Sequence, residues 1–196
     1  MVHKDRSIIM NKKEILVAFG GNLPLEGAEP REVMARAIEA LADVDLAPDT
    51  VSPFYQTPCF PAGAGPDYVN GALRIVSNMP ANEVLVSLHK VEAKFGRERT
   101  SRWAGRSLDL DLLAVGDELF PNVTTWRHWF ELPLEVQKQI APEELILPHP
   151  RLQDRAFVLV PLADIAPDWK HPVLGKTVRQ MVKELPPEAV SEVERL

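Results

Sequence analysis

The segment RERTSRWAGRSLDLDLL, residues 97–113, joins an arginine-rich loop to the start of a β-strand. From Leu108 onward leucine alternates with aspartate, and a strand turns successive side chains to opposite faces of its sheet. The alternation predicts that Asp109 and Asp111 share one face, with roughly 7 Å between their Cβ atoms, while the leucines face a core. The fold should therefore contain a sheet that is buried on the leucine face and carries a polar site on the other.

The chemistry of this segment indicates a site for a metal ion and a polyphosphate. Two carboxylates at this spacing can converge on one divalent ion or on two neighbouring ions, and Mg²⁺ suits such a site because it fills its shell with water and phosphate oxygens. Four arginines offer forked donors to phosphate: Arg97, Arg99, Arg102 and Arg106. Taken separately, the aspartates would be a solvated strand edge and the arginines a polar loop. Their proximity in an acidic chain favours the functional interpretation.

Composition is typical of a soluble globular protein. The chain has 196 residues, of which 45% are hydrophobic and 26% charged. This length is enough for one domain with a core. The net charge of −6 argues against a general nucleic-acid binder, because the phosphate backbone would be repelled. The apolar runs are too short to span a membrane, and residues 1–14 lack the pattern of a signal peptide. The single cysteine, Cys59, cannot form an internal disulfide, so we expect a cytoplasmic protein.

Apolar periodicity and turn residues predict a series of elements on either side of this segment. The predicted strands cover residues 15–19, 51–57, 68–76 and 108–115, and the predicted helices cover residues 32–42 and 81–95. Gly20-Gly21-Asn22 should turn the chain after the first strand, and Gly96 should end the second helix. The order β-α-β-β-α-β predicts an α+β fold, a ferredoxin-like α/β/α sandwich with a mainly antiparallel sheet.

The remaining segments are expected to complete one domain. Residues 1–13 should be a flexible extension, and residues 14–196 a single domain with an insertion at about 120–144. The insertion is rich in large apolar residues, so we expect a short helix near residues 134–140 and a tryptophan anchor against the body of the domain. Residues 156–160 form a short apolar segment, and residues 178–185 predict a last helix.

Six blocks stand in a distinctive order along the chain. They are GGNL at 20–23, SPFYQTP at 52–58, PDYVNGA at 66–72, the arginine and aspartate segment at 96–112, LPHPRL at 147–152 and RAFVLVPL at 155–162. In this order they resemble the 6-hydroxymethyl-7,8-dihydropterin pyrophosphokinase family over about residues 15–185. The resemblance implies an ATP- and Mg²⁺-dependent enzyme of folate biosynthesis that transfers pyrophosphate from ATP to the pterin and releases AMP.

The resemblance also implies roles for individual residues. Asp109 and Asp111 would hold two Mg²⁺ ions, while Arg97 and Arg106 would steady the phosphates during catalysis. The pterin would contact Thr57, Pro58, Phe60, Tyr68, Asn70 and Phe157, of which Tyr68 and Phe157 would stack on it. ATP would contact His89, Glu92, Arg99, Trp103, Leu112, His149 and Arg155. Arg99 and Trp103 would belong to a mobile loop that closes over the substrates.

The expected partners are the two small-molecule substrates alone, without nucleic acid or membrane, and we expect a monomer. Gly21 stands where the family has a serine, and this difference should affect only the geometry of a turn. The insertion should lie beside the nucleotide, although an alternative is that it packs elsewhere and serves only stability. Two other functions remain alternatives: a kinase or nucleotidyltransferase with another acceptor, and a regulatory domain that binds a small molecule without chemistry. The aromatic pair and Asn70 count against the first, and the aspartate pair counts against the second.

Overall fold

The fold is built on a six-stranded sheet. The computed structural model describes residues 12–59, 63, 65–96, 106–137 and 139–196. The strands are β1 (Lys13–Gly21), β2 (Thr50–Val51), β3 (Tyr55–Thr57), β4 (Tyr68–Ser77), β5 (Asp109–Val115) and β6 (Glu194–Arg195). They lie in the order β5-β1-β4-β3-β6, with β2 paired to β4, and these pairings are antiparallel. Most of the extension predicted over residues 1–13 lies outside the described residues.

Helices cover both faces of the sheet. The chain forms α1 (Pro30–Ala40), α2 (Ala81–Lys94), α3 (Val123–Glu131), α4 (Leu134–Gln137), α5 (Ala156–Ile165), α6 (Val178–Glu184) and α7 (Pro187–Ser191). α1 and α2 pack on one face of the sheet, and α5 and α6 pack on the other. The predicted α+β class and mainly antiparallel sheet are therefore confirmed.

β1 is buried on both faces because it lies between these two helical layers. Ile15, Val17 and Phe19 pack against α1 and α2, whereas Leu16 and Ala18 pack against α5 and α6. This burial accounts for the unbroken apolar run at the start of the sequence pattern. α1 begins with Pro30, whose fixed φ suits a first helical position. After α2 the chain turns at Gly96, which has a φ of 74° and so adopts the left-handed conformation that glycine favours at helix ends.

The strand predicted over residues 51–57 is interrupted. Ser52, Pro53 and Phe54 separate β2 from β3, because Pro53 has no N–H to donate to a neighbouring strand. Ser52 compensates at this point, since its N–H donates to the Ala72 carbonyl at 2.9 Å and its hydroxyl accepts from the Ala72 N–H at 2.9 Å. The short apolar segment at residues 156–160 is the first half of α5, whose buried side chains lie mainly against the sheet.

The insertion folds as two helices. α4 lies within the range predicted for a short helix, whereas α3 was not predicted as a helix. Asn122 caps α3, because its side chain accepts from the N–H of Thr125 at 2.9 Å. Trp126 is 1% exposed and is the tryptophan that anchors the segment. Within the described residues, no helix has the length and apolar character that crossing a bilayer requires.

Candidate active site

Two aspartates on β5 form the centre of the candidate site. Leu110 and Leu112 are buried in the core beneath α1 and α2, so Asp109 and Asp111 lie on the opposite face, as the alternation predicted. Their side chains are 23% and 36% exposed. Two partly exposed carboxylates on one face of a strand suit a hard cation that also binds water and phosphate. Within the described residues, no group of three or more metal-binding side chains could enclose an ion.

Each aspartate is paired with an arginine. Arg106 Nη1 lies 2.5 Å from Oδ2 of Asp109, and Arg155 Nη1 lies 3.3 Å from Oδ2 of Asp111. Because these groups remain partly exposed, the pairs contribute little to stability. Their importance is chemical, since they place two guanidinium groups beside two carboxylates. Anionic phosphate oxygens and a divalent cation could both bind at such a place.

Glu92 supports the strand between the two aspartates. It is 2% exposed on α2, and its Oε1 accepts from the N–H of Leu110 at 2.8 Å. His89 precedes Glu92 by one helical turn, so both residues lie on the same side of α2. The predicted contacts of these two residues with ATP stay predictions. Leu112 has its side chain in the core, so a contact with the nucleotide would have to come from its main chain.

The register of the sheet relates the aspartates to the predicted pterin residues. Gly20 on β1 lies opposite Asp109 on one side and opposite Asn70 on the other. Asp109 and Asn70 therefore stand on the same face, two strands and roughly 10 Å apart. A Cβ on Gly20 would lie 2.5 Å from Oδ1 of Asn70, so only glycine leaves room for that amide.

Polar and aromatic groups surround Asn70. Its Nδ2 donates to the hydroxyl of Thr57 at 2.7 Å, and both side chains are buried. Tyr68 lies opposite Thr57 in the neighbouring strand. Burial raises the pKa of Tyr68. Electrostatic interactions with Cys59 and Asp109 raise it further, whereas the interaction with Arg106 lowers it. The phenol is therefore neutral at physiological pH and lies within electrostatic reach of the aspartate site.

The start of α5 contributes an exposed aromatic ring. Phe157 is 40% exposed, and the guanidinium of Arg155 lies 5.9 Å from its ring centroid. A cation at this distance is attracted by the face of the ring. An exposed ring beside a cation at this end of the sheet is available to stack on a flat ligand. Pro58 is also exposed, at the end of β3.

His149 is held as a neutral imidazole. Burial, followed by the nearby cations Arg155 and Arg151, lowers its pKa to about 3. Its Nδ1 accepts from the N–H of Arg151 at 3.1 Å, so Nε2 carries the proton of the neutral ring. The histidine can therefore donate a hydrogen bond to an anionic ligand without adding charge.

Asn22 connects the two sides of the site, a role that the sequence alone did not reveal. Its Oδ1 accepts from the N–H of Arg106 at 3.0 Å, and its Nδ2 donates to the carbonyl of Pro66 at 3.0 Å. It is 2% exposed. A buried asparagine directly after an apolar strand is a usable indication of such a connection, because a buried amide needs hydrogen-bond partners.

Comparison with known proteins identifies the family. The family model for 7,8-dihydro-6-hydroxymethylpterin-pyrophosphokinase matches residues 16–167, which is most of the chain. The chain belongs to this family.

Curated relatives agree with that assignment. A 2-amino-4-hydroxy-6-hydroxymethyldihydropteridine pyrophosphokinase of Pseudomonas aeruginosa is 34% identical over 92% of this chain and 97% of its own. A protein of the same name from Synechocystis is 34% identical over 87% of this chain and 75% of its own.

Solved structures of Plasmodium falciparum HPPK-DHPS share the fold. The wild-type structure has a TM-score of 0.59 at 14% identity and matches 88% of this chain. The match covers 44% of the Plasmodium chain, so this protein spans less than half the length of those proteins.

Within this family assignment, the described structure brings most of the predicted site residues to one end of the sheet. Asp109, Asp111, Arg106 and Arg155 are in direct contact as two pairs, and Tyr68 and His149 lie within their electrostatic reach. Four predicted site residues lie outside the described residues: Phe60, Arg97, Arg99 and Trp103. Their roles stay predictions.

Proposed function

We propose that this chain carries out its family's reaction at the end of the sheet where Asp109, Asp111, Arg106 and Arg155 meet. The reaction transfers pyrophosphate from ATP to 6-hydroxymethyl-7,8-dihydropterin in folate biosynthesis, and AMP is released. The observation that carries the proposal is the pairing of each β5 aspartate with an arginine, two strands from the buried amide of Asn70.

The aspartates would hold Mg²⁺, and two ions are proposed. Their oxygens are of the kind that Mg²⁺ prefers, and the ion commonly takes only one or two carboxylates together with substrate phosphates. When bound, Mg²⁺ supplies positive charge that lowers the repulsion between the triphosphate and the incoming hydroxyl oxygen. Arg106 and Arg155 would then turn from the aspartates toward phosphate oxygens, since both pairs are partly exposed and weak.

The transfer forms one bond and breaks another. The hydroxyl oxygen of the pterin bonds to the β phosphorus, the bond from that phosphorus to the α–β bridging oxygen breaks, and the hydroxyl proton passes to solvent. Negative charge grows on the departing AMP. Arg106, together with Arg97, would stabilise this charge as positioned donors, which is the main contribution that a protein makes to phosphoryl transfer.

The remaining residues would bind and orient the substrates. Tyr68 and Phe157 would stack on the pterin, and the amide of Asn70 would hydrogen bond to its polar edge, beside Thr57, Pro58 and Phe60. His149 would donate from Nε2 to ATP, which would also contact His89, Glu92, Leu112 and Arg155. The loop with Arg99 and Trp103 would exclude water as a competing acceptor. A monomeric, cytoplasmic enzyme completes the proposal.

One assay separates this reaction from its alternatives. The purified chain is incubated with ATP, the pterin alcohol and Mg²⁺, and the nucleotide products are separated by chromatography. AMP that accumulates only in the presence of the pterin supports the proposal. ADP would identify a simple kinase, inorganic pyrophosphate would identify nucleotidyl transfer, and unchanged ATP would indicate binding without chemistry.

A further inference from the structure

The insertion after β5 is a closed loop whose ends are joined by backbone hydrogen bonds. Phe120 N donates to the Leu147 carbonyl at 3.0 Å, and Leu147 N donates to the Phe120 carbonyl at 2.9 Å. A short turn could join Phe120 to Leu147 in place of the residues between them. The burial of Trp126 within this loop therefore requires an explanation beyond connection.

Trp126 contacts the segment that follows the loop. Its indole Nε1 donates to the carbonyl of Pro148 at 2.7 Å. Its ring stacks on Phe130 with centroids 4.9 Å apart and meets the edge of His171 at 5.2 Å. The indole is therefore fixed by aromatic neighbours and directs its single donor to one carbonyl group.

The peptide group that accepts this hydrogen bond is held at both ends. Pro148 supplies its carbonyl, and His149 supplies its N–H, which donates to the Leu113 carbonyl of β5 at 2.8 Å. Leu113 is two residues beyond Asp111 along the strand. Trp126 and β5 thus fix the plane of the peptide group that directly precedes the Cα atom of His149.

We propose that Trp126 is a positioning residue for the nucleotide end of the site, acting through the Pro148–His149 peptide group on the imidazole of His149. The proposal rests on the proposed function, because it takes His149 as a contact of ATP. The ring itself accepts a hydrogen bond at Nδ1 from Arg151 N, which belongs to the same segment, so a shift of this segment moves the imidazole as a whole. The α3 helix would in this way affect ATP binding without touching ATP.

Trp126→Phe removes the indole donor and keeps an aromatic ring. Trp169→Phe is the matched control, because Trp169 also donates its indole N–H to a carbonyl, that of Gly116 at 3.0 Å, and also contacts His171. Gly116 follows β5 at the end opposite to Asp109. The measurements are KM for ATP, KM for the pterin, kcat, the melting temperature, and the calorimetric Kd of α,β-methylene-ATP with Mg²⁺.

Trp126→Phe should raise KM for ATP and the Kd of the analogue about tenfold, which corresponds to loss of roughly 1.4 kcal/mol. KM for the pterin should stay the same. Trp169→Phe should lower the melting temperature about as much as Trp126→Phe does, with ATP binding unchanged. Equal effects of the two substitutions on ATP binding, or no effect of Trp126→Phe, would overturn the proposal. The wild type is measured in the same assay. If the proposed function is wrong, the wild type itself releases no AMP; if only the role of Trp126 is wrong, the wild type is active and the variant binds ATP equally well.

Discussion

Arg155 Nη1 lies 3.3 Å from Oδ2 of Asp111, and this contact ties the start of α5 to the middle of β5. The same first turn of α5 carries Phe157, whose exposed ring lies beside the guanidinium. The start of α5 therefore brings a cation to the proposed metal and phosphate region and an aromatic ring to the proposed pterin region. A small movement of α5 would therefore shift both groups.

Asp111→Asn should abolish most of the Mg²⁺-dependent activity while the protein stays folded. The amide keeps the size of the side chain but loses its charge, and a missing metal carboxylate should lower kcat/KM by about 100-fold or more. A magnesium titration of AMP release measures the effect. Asp49→Asn is the control, because it also removes a carboxylate that is paired with an arginine. Its partner is Arg74, at 2.5 Å, which lies on β4 opposite β2 and away from the candidate site. Near-normal turnover of Asp111→Asn at saturating Mg²⁺ would exclude the metal role.

Arg106→Ala should lower kcat more than it raises KM for ATP. The guanidinium is expected to act mainly as charge develops on AMP, and removal of one such donor typically costs about 100- to 1,000-fold in kcat. Steady-state kinetics with both substrates varied gives the comparison. Arg36→Ala, which breaks the exposed pair with Glu32 on α1, controls for general loss of an arginine. A change confined to KM would contradict the catalytic role.

Phe157→Ala should weaken pterin binding with little loss of stability. The ring is 40% exposed, so its removal leaves the core of the protein intact. Loss of stacking, worth roughly 0.5–1.5 kcal/mol, should raise KM for the pterin by up to about tenfold with ATP kinetics unchanged. Val86→Ala, at a side chain that is 52% exposed on α2, provides an apolar control. Unaltered pterin kinetics would remove Phe157 from the binding site.

Gly21→Ser should impair both stability and turnover, although a serine at this position was expected to affect only a turn. A Cβ at Gly21 would lie 2.4 Å from the Ser107 carbonyl oxygen and 3.0 Å from that of Arg106. The backbone that carries Arg106 would have to move, at a cost of about 1–3 kcal/mol in the free energy of unfolding. Chemical denaturation and kcat measure the two effects.

Gly65→Ser is the matched control for this substitution, because a Cβ there would meet its nearest atoms at 3.6 Å. If Gly21→Ser behaved like Gly65→Ser in both measurements, the close approach of Gly21 to the backbone of Arg106 and Ser107 would matter neither for stability nor for turnover.

His171 should make the protein less stable in mild acid. It is fully buried, burial lowers its pKa to about 4, and its Nε2 has no hydrogen-bond partner in the described part of the chain. The unfolded chain binds this proton near the ordinary pKa of 6.5. The free energy of unfolding should therefore fall as the pH drops from about 6.5 toward about 4, by up to about 3 kcal/mol. Above the ordinary pKa this contribution is constant.

His171→Asn tests the source of this pH dependence. The asparagine oxygen can accept from the N–H groups of Val173 and Leu174, as the imidazole Nδ1 does at 3.2 and 3.3 Å, but it does not titrate. The free energy of unfolding, measured by denaturation at several pH values from mildly acidic to neutral, should vary less with pH in the variant than in the wild type. Identical pH dependence would assign the acid sensitivity to other groups.

Local periodicity predicted most of the sheet and the two helices that cover its first face. Periodicity failed to predict structure that depends on tertiary contacts. An example is Ser52, whose hydrogen bonds to Ala72 stabilise the interruption between β2 and β3. The segment at 156–160 is apolar on most sides because α5 is buried against the sheet, and burial of this kind hides the helical period. In the candidate site, the shared face of Asp109 and Asp111 followed from alternation along one strand. Asn22 and Trp126 did not, because their partners Arg106 and Pro148 are distant in sequence.

The arrangement around His171 gives the protein an optical property of its own. The imidazole lies edge-on to Trp126 and to Trp169, with centroid distances of 5.2 and 5.7 Å. A protonated imidazole quenches the fluorescence of an adjacent indole, whereas a neutral imidazole quenches it only weakly. His171 is neutral in the folded protein until the pH approaches about 4, so the emission of these two indoles should fall only there. This change, seen over the emission of the chain's other two tryptophans, would report on the junction between the insertion and the turn after α5 without an attached dye.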